Sequence, residues 1–259
     1  MTADFCGKVA FVSAGATGIG FSCARALIER GAKVMICARR ENTLREAVEA
    51  LGDNAAYVVC DIAVRQQVDA AIAETVARFG QLDCAVNSAG VGVGGSLLDL
   101  GDDQIDPCVQ TNINGTLYAV QAQGRAMRDG GGGSIVNISS LAGREPHPMM
   151  STYCMVKAAV DMLTRCAAEE LGEFNIRVNA IQPGLVETPM TEVLAGSEIG
   201  RKVYLDLSPI NKIGRPEDIA EAVAFLLSDA AGFITGQLLA ADGGASVSGG
   251  PDLRPLFGL

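Results

Sequence analysis

The 259-residue sequence lacks the features of a membrane-spanning or exported chain. It contains no run of about 18 apolar residues free of glycine and polar breaks, which is the length that a membrane-spanning helix requires. Its first residues include Asp4 and contain no basic stretch followed by an apolar one, so they do not resemble a secretory signal. We therefore expect a cytoplasmic protein with no membrane partner.

Clustered metal-binding or disulfide-forming residues are also missing. The eight cysteines are scattered without any CxxC pair, and the chain has a single histidine, His147. Scattered cysteines in a reducing compartment behave as small buried apolar residues, so we expect free thiols and no metal site.

Basic residues are in the minority. Lysine and arginine number 20 against 30 aspartates and glutamates, which gives a formal net charge of −10 at pH 7. Because like charges repel, such a chain is a poor partner for a phosphate backbone, and we exclude nucleic acid as its target.

The sequence does contain a regular alternation of short apolar runs with longer segments of helical period. Seven runs indicate β-strands, at residues 9–12, 33–37, 55–59, 83–86, 134–138, 176–180 and 237–240. Helical patterns lie near residues 18–30, 41–51, 64–79, 102–128, 151–172 and 216–228. Strands that are apolar on both faces and alternate with helices predict a parallel sheet covered on both sides. The predicted fold class is therefore α/β: a single doubly wound Rossmann-type domain over residues 1–259, with a seven-stranded, mostly parallel sheet and helices on both faces.

Two segments interrupt or extend this pattern. Residues 188–211 form a long connection after the sixth strand and carry several apolar side chains, which predicts a mobile, partly helical lid with an apolar underside. Residues 246–259 form a C-terminal tail that includes Leu253, Leu256 and Phe257. We expect this tail to pack on a neighbouring subunit.

A glycine-rich segment follows the first strand directly. It is Ser13-Ala14-Gly15-Ala16-Thr17-Gly18-Ile19-Gly20, and the first helix begins within it. Glycines let the backbone approach a pyrophosphate, whose charge is then met by the N–H groups and the dipole of the helix start. The segment predicts a dinucleotide phosphate site formed by Ser13, Gly15, Thr17, Gly18, Ile19 and Gly20.

The end of the second strand indicates which dinucleotide binds. Ala38-Arg39-Arg40 stands where enzymes that prefer NAD(H) carry an acidic residue for the adenosine ribose 2′-hydroxyl. Ala38 lacks that group, whereas the forked guanidinium of Arg39 can pair with a 2′-phosphate. We predict NADP(H) as the preferred cofactor, with Arg39 and Arg40 as contacts, and NAD(H) as the alternative.

Tyr153 and Lys157 stand near the start of a predicted helix. Residues four apart share a helix face, so the phenol and the ammonium can address one ligand together. A free phenol, with a pKa of about 10, is a poor base at neutral pH, and a nearby cation favours its ionised form. The pair therefore predicts proton transfer by Tyr153.

These features occur in the order and spacing of one known family. Together with Asn87-Ser88-Ala89-Gly90, Asn112, Ser140 and Pro183-Gly184, they make the chain resemble the short-chain dehydrogenase/reductase family over nearly its whole length. The resemblance implies that Tyr153 is the general acid in reduction and the base in oxidation, and that Lys157 holds the nicotinamide ribose and lowers the Tyr153 pKa. It also implies that Ser140 hydrogen-bonds the substrate oxygen and that Asn112 holds a water in a proton relay.

The resemblance also implies cofactor contacts. Asp61 matches the residue that binds the adenine amino group, and Asn87 matches the one that steadies the central strand near the adenosine ribose. The further contacts that it implies are Ile62, Ala89, Gly90, Pro183, Gly184, Val186 and Thr188. One departure concerns the phosphate loop, where the family's usual Thr-Gly is Ser13-Ala14. A methyl group on that turn is expected to loosen the cofactor or shift the loop.

The expected substrate is a small carbonyl compound or secondary alcohol of apolar or alicyclic character. Its pocket is predicted to contain Leu141, His147, Met149 and Met190 together with the lid. The family resemblance further implies a homotetramer built by the two long helices at 102–128 and 151–172 and by the last strand.

Two other functions remain open. A 3-oxoacyl-thioester reductase acting on an acyl carrier protein shares the same pattern, but an acidic carrier suits an acidic enzyme only if Arg125, Arg128 and Arg165 form a basic patch. A dinucleotide-binding redox sensor would bind the cofactor without turnover. A hydrolase is disfavoured because the sequence has no GxSxG motif and only one histidine.

Overall fold

The computed structural model describes residues 4–248, whose strands form one parallel sheet. The strands are β1 (Val9–Ser13), β2 (Lys33–Ala38), β3 (Ala55–Val59), β4 (Cys84–Asn87), β5 (Gly133–Ile138), β6 (Ile176–Pro183) and β7 (Leu238–Ala241). They stand in the order β3-β2-β1-β4-β5-β6-β7, and every neighbouring pair is parallel. The predicted α/β class is confirmed, and the sheet is parallel throughout.

Helices cover both faces of this sheet. They are α1 (Gly18–Ile28), α2 (Glu41–Leu51), α3 (Arg65–Phe79), α4 (Asp102–Val109), α5 (Thr116–Gly130), α6 (Ser151–Leu171), α7 (Glu192–Ala195), α8 (Glu198–Leu207) and α9 (Pro216–Leu227). One buried core packs α1, α2 and α9 on the sheet through residues such as Leu27 and Val223. A second core packs α3, α5 and α6 on the opposite face through residues such as Ile72 and Met127. Burial on both faces explains why the strands are apolar throughout rather than alternating.

The helix predicted over residues 102–128 is not continuous. A π-helical turn, Gln110–Gly115, separates α4 from α5. Within it, the Asn112 side-chain amide donates hydrogen bonds of 2.9 Å to the carbonyl oxygens of Cys108 and Val91. A side chain that bonds the carbonyl four residues earlier competes with the regular helical ladder, which is consistent with the wider turn at this point.

The lid segment, residues 188–211, contains a short 3₁₀ turn, α7 and α8. An apolar underside forms where Leu194, Tyr204 and Leu205 pack on Leu185 and Ile213. Other apolar side chains of the segment point outward instead, since Val193 is 85% exposed and Ile199 is 80% exposed. The motion of this segment stays a prediction, and the predicted tail, residues 246–259, lies outside the described residues from position 249 onward.

Among residues 4–248, no helix combines the length and the apolar character needed to cross a bilayer. Within the same range, no three carboxylate, thiol or imidazole side chains come together as a group that could hold a metal ion.

Candidate active site

A crevice opens at the carboxyl edge of the sheet where the strand order reverses, between β1 and β4. Ser13 and Asn87 are paired at the ends of these two strands. The Ser13 hydroxyl oxygen accepts hydrogen bonds from the backbone N–H groups of Ser88 and Ala89, at 3.0 and 3.1 Å. Ser13 is buried and therefore joins the two loops from behind the crevice rather than lining it.

The glycine-rich loop after β1 leaves no room for a side chain at Gly15 or at Gly20. A Cβ at Gly15 would lie 2.6 Å from Cγ2 of Ile36, and one at Gly20 would collide with the carbonyl oxygen of Ala14. Thr17 caps α1 without a side-chain hydrogen bond, so the first N–H groups of the helix are left to meet an anion. The loop therefore fits the pyrophosphate of a dinucleotide.

Ala14 occupies an unfavourable backbone conformation in this loop. Its φ is 50°, in the left-handed region that favours glycine. The resemblance described above implies glycine at this position, and glycine adopts this conformation without strain. Ala14 lines the crevice.

The predicted adenosine end of the crevice is a cavity of about 190 Å³. Its lining includes Ala38, Arg39, Arg40, Asp61, Ile62, Ala89 and Gly90. The side chains of Arg39 and Arg40 are exposed at its rim. The carboxylate of Asp61 accepts a hydrogen bond of 3.0 Å from the N–H of Ala63, which holds the turn after β3.

The other end of the crevice is a cavity of about 230 Å³ that contains the predicted proton-transfer residues. Its lining includes Gly18, Ile19, Ser140, Tyr153, Lys157, Pro183, Gly184, Val186, Thr188 and Met190. Ala14, Thr17 and Gly90 line both cavities. The two cavities are therefore neighbouring halves of one cleft, long enough to bring the residues of both predicted sites to one ligand.

Ser140 follows β5 and caps a short 3₁₀ turn, Leu141–Gly143. Its hydroxyl oxygen accepts a hydrogen bond of 3.1 Å from the N–H of Ala142. That bond uses a lone pair and leaves the hydroxyl hydrogen free to donate to an oxygen atom in the cleft.

Tyr153 and Lys157 lie in the first turns of α6, and the Lys157 Nζ is 5.6 Å from the centre of the Tyr153 ring. Burial raises the pKa of Tyr153 to about 12, against which interaction with the Ser140 hydroxyl lowers it. Burial lowers the pKa of Lys157 to about 8. The Lys157 ammonium donates one hydrogen bond, of 3.0 Å, to the carbonyl oxygen of Ile138, which leaves its other protons for a ligand.

Asn112 lies directly behind this group and is fully buried. Its Oδ1 makes no hydrogen bond to the protein within the described residues. A Cβ built on Gly90 would lie 2.7 Å from this oxygen and 3.4 Å from the Lys157 Nζ, so both atoms border the same small space. A buried acceptor in that position can receive a hydrogen bond from a polar group of the cleft.

Several predicted site residues lie away from the cleft lining. Asn87 is held in a buried network with Gln123 and Asn137. In the predicted substrate pocket, Leu141 is buried and Met149 is 59% exposed. The ring of His147 lies 6.5 Å from that of Tyr204 on α8, so it contacts the lid segment.

Two polar residues beside the site were not found from the sequence. Asp161 and Gln182 are both buried, and Gln182 donates a hydrogen bond of 2.7 Å to the Asp161 carboxylate. The spacing offered a signal for Asp161, because Tyr153, Lys157 and Asp161 follow one another at intervals of four residues. Nothing in the local pattern marked Gln182, which stands in a buried strand.

The chain was compared with known proteins. The family model described as Enoyl-(Acyl carrier protein) reductase matches residues 14–246. A 2,5-dichloro-2,5-cyclohexadiene-1,4-diol dehydrogenase of Sphingobium indicum is 40% identical over 244 residues, which are 93% of this chain and 98% of the relative.

Solved structures also resemble this chain in fold and sequence. A short-chain type dehydrogenase/reductase from Mycobacterium ulcerans matches with a TM-score of 0.92 and 35% identity, over 98% of this chain and 94% of the other. A 7α-hydroxysteroid dehydrogenase in complex with NADH and 7-oxo glycochenodeoxycholic acid matches with a TM-score of 0.89 and 31% identity, over 93% of this chain and 95% of the other.

Proposed function

The chain belongs to the short-chain dehydrogenase/reductase family, and on that premise we propose that Tyr153, Ser140 and Lys157 catalyse hydride exchange between a nicotinamide cofactor and a carbonyl or secondary alcohol. The chain is an oxidoreductase of hydroxyl or carbonyl groups, in a family that uses nicotinamide cofactors. The observation that carries the assignment of roles is the convergence of these three side chains with Pro183 and Gly184 on one half of the cleft.

Lys157, Pro183 and Gly184 would hold the nicotinamide end of the cofactor, which when bound would supply hydride to a carbonyl carbon or accept it from an alcohol carbon. The free hydroxyl hydrogen of Ser140 donates to the substrate oxygen, where negative charge develops. Tyr153 gives its proton to that oxygen in reduction. Because the pKa of Tyr153 is raised to about 12, the phenol is protonated at neutral pH and ready to act as the acid.

Oxidation requires Tyr153 to lose its proton, and Lys157 favours that loss. We infer that the positive charge of Lys157, 5.6 Å from the centre of the ring, opposes part of the rise that burial causes in the Tyr153 pKa. We assign Lys157 the further task of holding the nicotinamide ribose through its free N–H groups, and Asn112 the task of positioning a water for proton exchange through its Oδ1.

Replacing Tyr153 with phenylalanine tests the proposed chemistry. Tyr153→Phe removes only the hydroxyl, so we expect kcat with NADPH and a panel of ketones to fall by about 10²–10⁴-fold, with little change in the Kd of NADPH. Undiminished turnover would refute the role of Tyr153. Tight cofactor binding by the native protein, without turnover of any carbonyl or alcohol, would instead favour a redox sensor.

We propose NADP(H) as the preferred cofactor because Arg39 and Arg40 line the adenosine end, where Ala38 offers no acceptor for a ribose hydroxyl. Arg39→Ala should raise the KM for NADPH by about 10–100-fold and leave the KM for NADH nearly unchanged, since only the former has a 2′-phosphate. Arg78→Ala removes an exposed arginine outside the cleft lining and serves as the control. A native enzyme that prefers NADH would overturn this choice.

We propose an apolar, alicyclic substrate. The names of two similar proteins, a cyclohexadiene-diol dehydrogenase and a hydroxysteroid dehydrogenase, describe enzymes of ring-bearing alcohols. In this chain, Met190 lines the catalytic half of the cleft and is 55% exposed, so it can cover an apolar ring. His147 and Met149 are proposed as outer contacts from the loop before α6.

Reduction of a 3-oxoacyl thioester on an acyl carrier protein is the second candidate, favoured by the description of the matching family model. Two of the three arginines that would attract an acidic carrier are already engaged, and only Arg165 is left without an ion pair among the described residues. Arg125 pairs with Asp69 at 2.6 Å, and Arg128 pairs with Asp129 at 2.9 Å. Because these pairs cancel the local positive charge, we rank the carrier-linked reaction below the alicyclic substrate.

We also propose that the protein acts as a cytoplasmic homotetramer through α5, α6 and β7. The edge strand β7 and helix α6 both present apolar side chains to the outside. Leu239 is 40% exposed, while Met155 and Met162 are 53% and 55% exposed. Apolar surface of this kind is commonly covered by a neighbouring subunit.

A further inference from the structure

Asp161 is a buried carboxylate that the proposed mechanism does not use. It lies on α6, one helical turn after Lys157, and is 6% exposed. Its Oδ2 accepts the 2.7 Å hydrogen bond from Gln182, the residue directly before Pro183 and Gly184. Asp161 therefore ties the helix that carries Tyr153 and Lys157 to the strand end that leads into the proposed nicotinamide site.

The same carboxylate packs on the turn that carries Ser140. A Cβ built on Gly143 would lie 2.6 Å from the Asp161 Oδ2 and 3.0 Å from the carbonyl oxygen of Lys157, so only glycine fits there without a shift. Ser139, at the start of this turn, donates a hydrogen bond of 3.3 Å to that same carbonyl oxygen. The turn, α6 and the end of β6 thus meet around one side chain.

The charged groups near Asp161 are few within the described residues. On its own helix it faces Lys157 and Arg165, while β6 and the 139–143 turn contribute the uncharged Gln182 and Ser139. Lys157 is in turn faced by the Cys108 thiol from α4. The second carboxylate oxygen, Oδ1, is buried and makes no hydrogen bond to the protein. A buried carboxylate with an unpaired oxygen is costly to retain for packing alone.

We propose that Asp161 is a positioning residue of the active site, which holds the Ser140 turn and the Pro183–Gly184 segment against α6 and keeps the Lys157 ammonium charged. The proposed function enters this inference only through the role of Lys157 in turnover, and the contacts of Asp161 do not depend on it. Burial raises the pKa of Asp161, and the nearby Ser139 hydroxyl, the hydrogen bond from Gln182 and the charges of Lys157 and Arg165 oppose that rise. Burial lowers the pKa of Lys157 to about 8, and the negative charge of Asp161 opposes that fall.

The Asp161→Asn variant tests the proposal, because asparagine keeps the shape and the hydrogen bond from Gln182 but removes the charge. The ε-methylene carbon of each lysine can be labelled with ¹³C, and the chain has only five lysines. Lys157→Met identifies the Lys157 resonance by its loss. In the protein without cofactor, Asp161→Asn should lower the titration midpoint of Lys157 by about one pH unit, a tenfold loss of proton affinity.

Asp83→Asn is the matched control. Asp83 is a partly buried carboxylate at the opposite edge of the sheet, where it accepts hydrogen bonds of 2.7 Å from the N–H of Val9 and from the Gln81 side chain. This variant should leave the Lys157 midpoint in place. In turnover, the high-pH limb of the kcat profile should move to lower pH in Asp161→Asn and stay in place in Asp83→Asn.

An unchanged Lys157 midpoint in Asp161→Asn, or an equal shift in Asp83→Asn, would overturn the proposal. If Asp161→Asn does not fold, the reciprocal measurement decides, because coupling acts equally on both partners. The Asp161 carboxyl carbon should then titrate at higher pH in Lys157→Met than in the native protein, and equal midpoints would contradict the coupling. Failure of the proposed function would abolish turnover on every substrate without affecting these titrations, which need neither cofactor nor substrate.

Discussion

At the scale of single residues, the cleft contains side chains held in costly states. Ala14 has a left-handed backbone, and Lys157 is a buried cation whose pKa is lowered to about 8. Strain and desolvation of this kind reduce stability and are retained where the chain needs a particular shape or charge.

Replacing Ala14 with glycine should stabilise the protein. Ala14→Gly removes the clash of Cβ at a φ of 50°, partly offset by the greater freedom of glycine in the unfolded chain. We expect the free energy of unfolding in urea to rise by about 0.5–1 kcal/mol, and the Kd of NADPH to fall. Ala16→Gly, two residues later and without a left-handed backbone, should not stabilise. Equal changes in the free energy of unfolding for the two substitutions would show that the backbone of Ala14 is not strained.

The buried Lys157 makes stability depend on pH in a defined window. Its pKa is about 8 in the folded protein against 10.5 in a model peptide, so the unfolded chain binds more protons between these pH values. The contribution of Lys157 to the free energy of unfolding is therefore fully present above pH 10.5, the pKa of the unfolded chain. It is lost as the pH falls through about 8. The free energy of unfolding of the native protein, minus that of Lys157→Met, should rise by up to about 3 kcal/mol across this window.

Denaturant titrations at several pH values measure this difference. Lys202→Met removes an exposed lysine of α8 and is the control, for which no comparable rise is expected. A flat difference for Lys157→Met would mean that folding does not desolvate the Lys157 ammonium.

At the scale of elements, the π-helical turn between α4 and α5 places a polar side chain where a regular helix would not. The turn brings the Asn112 amide to the carbonyl of Val91, in the loop that follows β4. That contact fixes the loop containing Gly90, which lines both halves of the cleft.

Removing the Asn112 side chain should therefore cost stability as well as activity. Asn112→Ala removes the amide donor from the carbonyl oxygens of Val91 and Cys108 and leaves Val91 only the longer contact of 3.5 Å from the Cys108 thiol. We expect a loss of about 1–3 kcal/mol in the free energy of unfolding. Asn114→Ala removes a second asparagine of the same turn, whose hydrogen bond to Gln110 is exposed. Its cost should stay within about 0.5 kcal/mol. Similar losses for the two variants would contradict a special role of Asn112.

At the scale of the whole molecule, the outward apolar face of α6 bears on assembly. Met155 and Met162 are seven residues apart and so lie on the same side of the helix. Both are more than half exposed in the single chain.

Charges introduced on this face should disrupt the proposed tetramer. The double variant Met155→Lys/Met162→Lys would bury two unpaired ammonium groups at a subunit contact, so sedimentation equilibrium should report a mass below four chains. Ile199→Lys/Val203→Lys places the same charges on α8, where the two side chains are 80% and 54% exposed, and should leave the mass unchanged. A native mass of one chain, or equal masses for both variants, would refute assembly through α6.

The sequence alone was sufficient for the fold class, and many of the residues that it singled out line one cleft in the structure. Strand and helix periods are local, so they predicted seven strands and their alternation with helices, and the chain order then placed the strand ends at one edge. The glycine loop and the Tyr153–Lys157 pair could also be recognised in the sequence, because each depends on the spacing of residues within one turn or on one helix face.

Only the tertiary structure decided which side chains face the cleft and what state they are in. Asp161 meets Gln182 from 21 residues away, and His147 lies beside Tyr204 of the lid segment rather than in the cleft lining. Leu141 is buried, although its position beside Ser140 suggested a substrate contact. Burial, unpaired polar atoms and shifted pKa values arise from contacts between segments distant in sequence, and no local pattern carries that information.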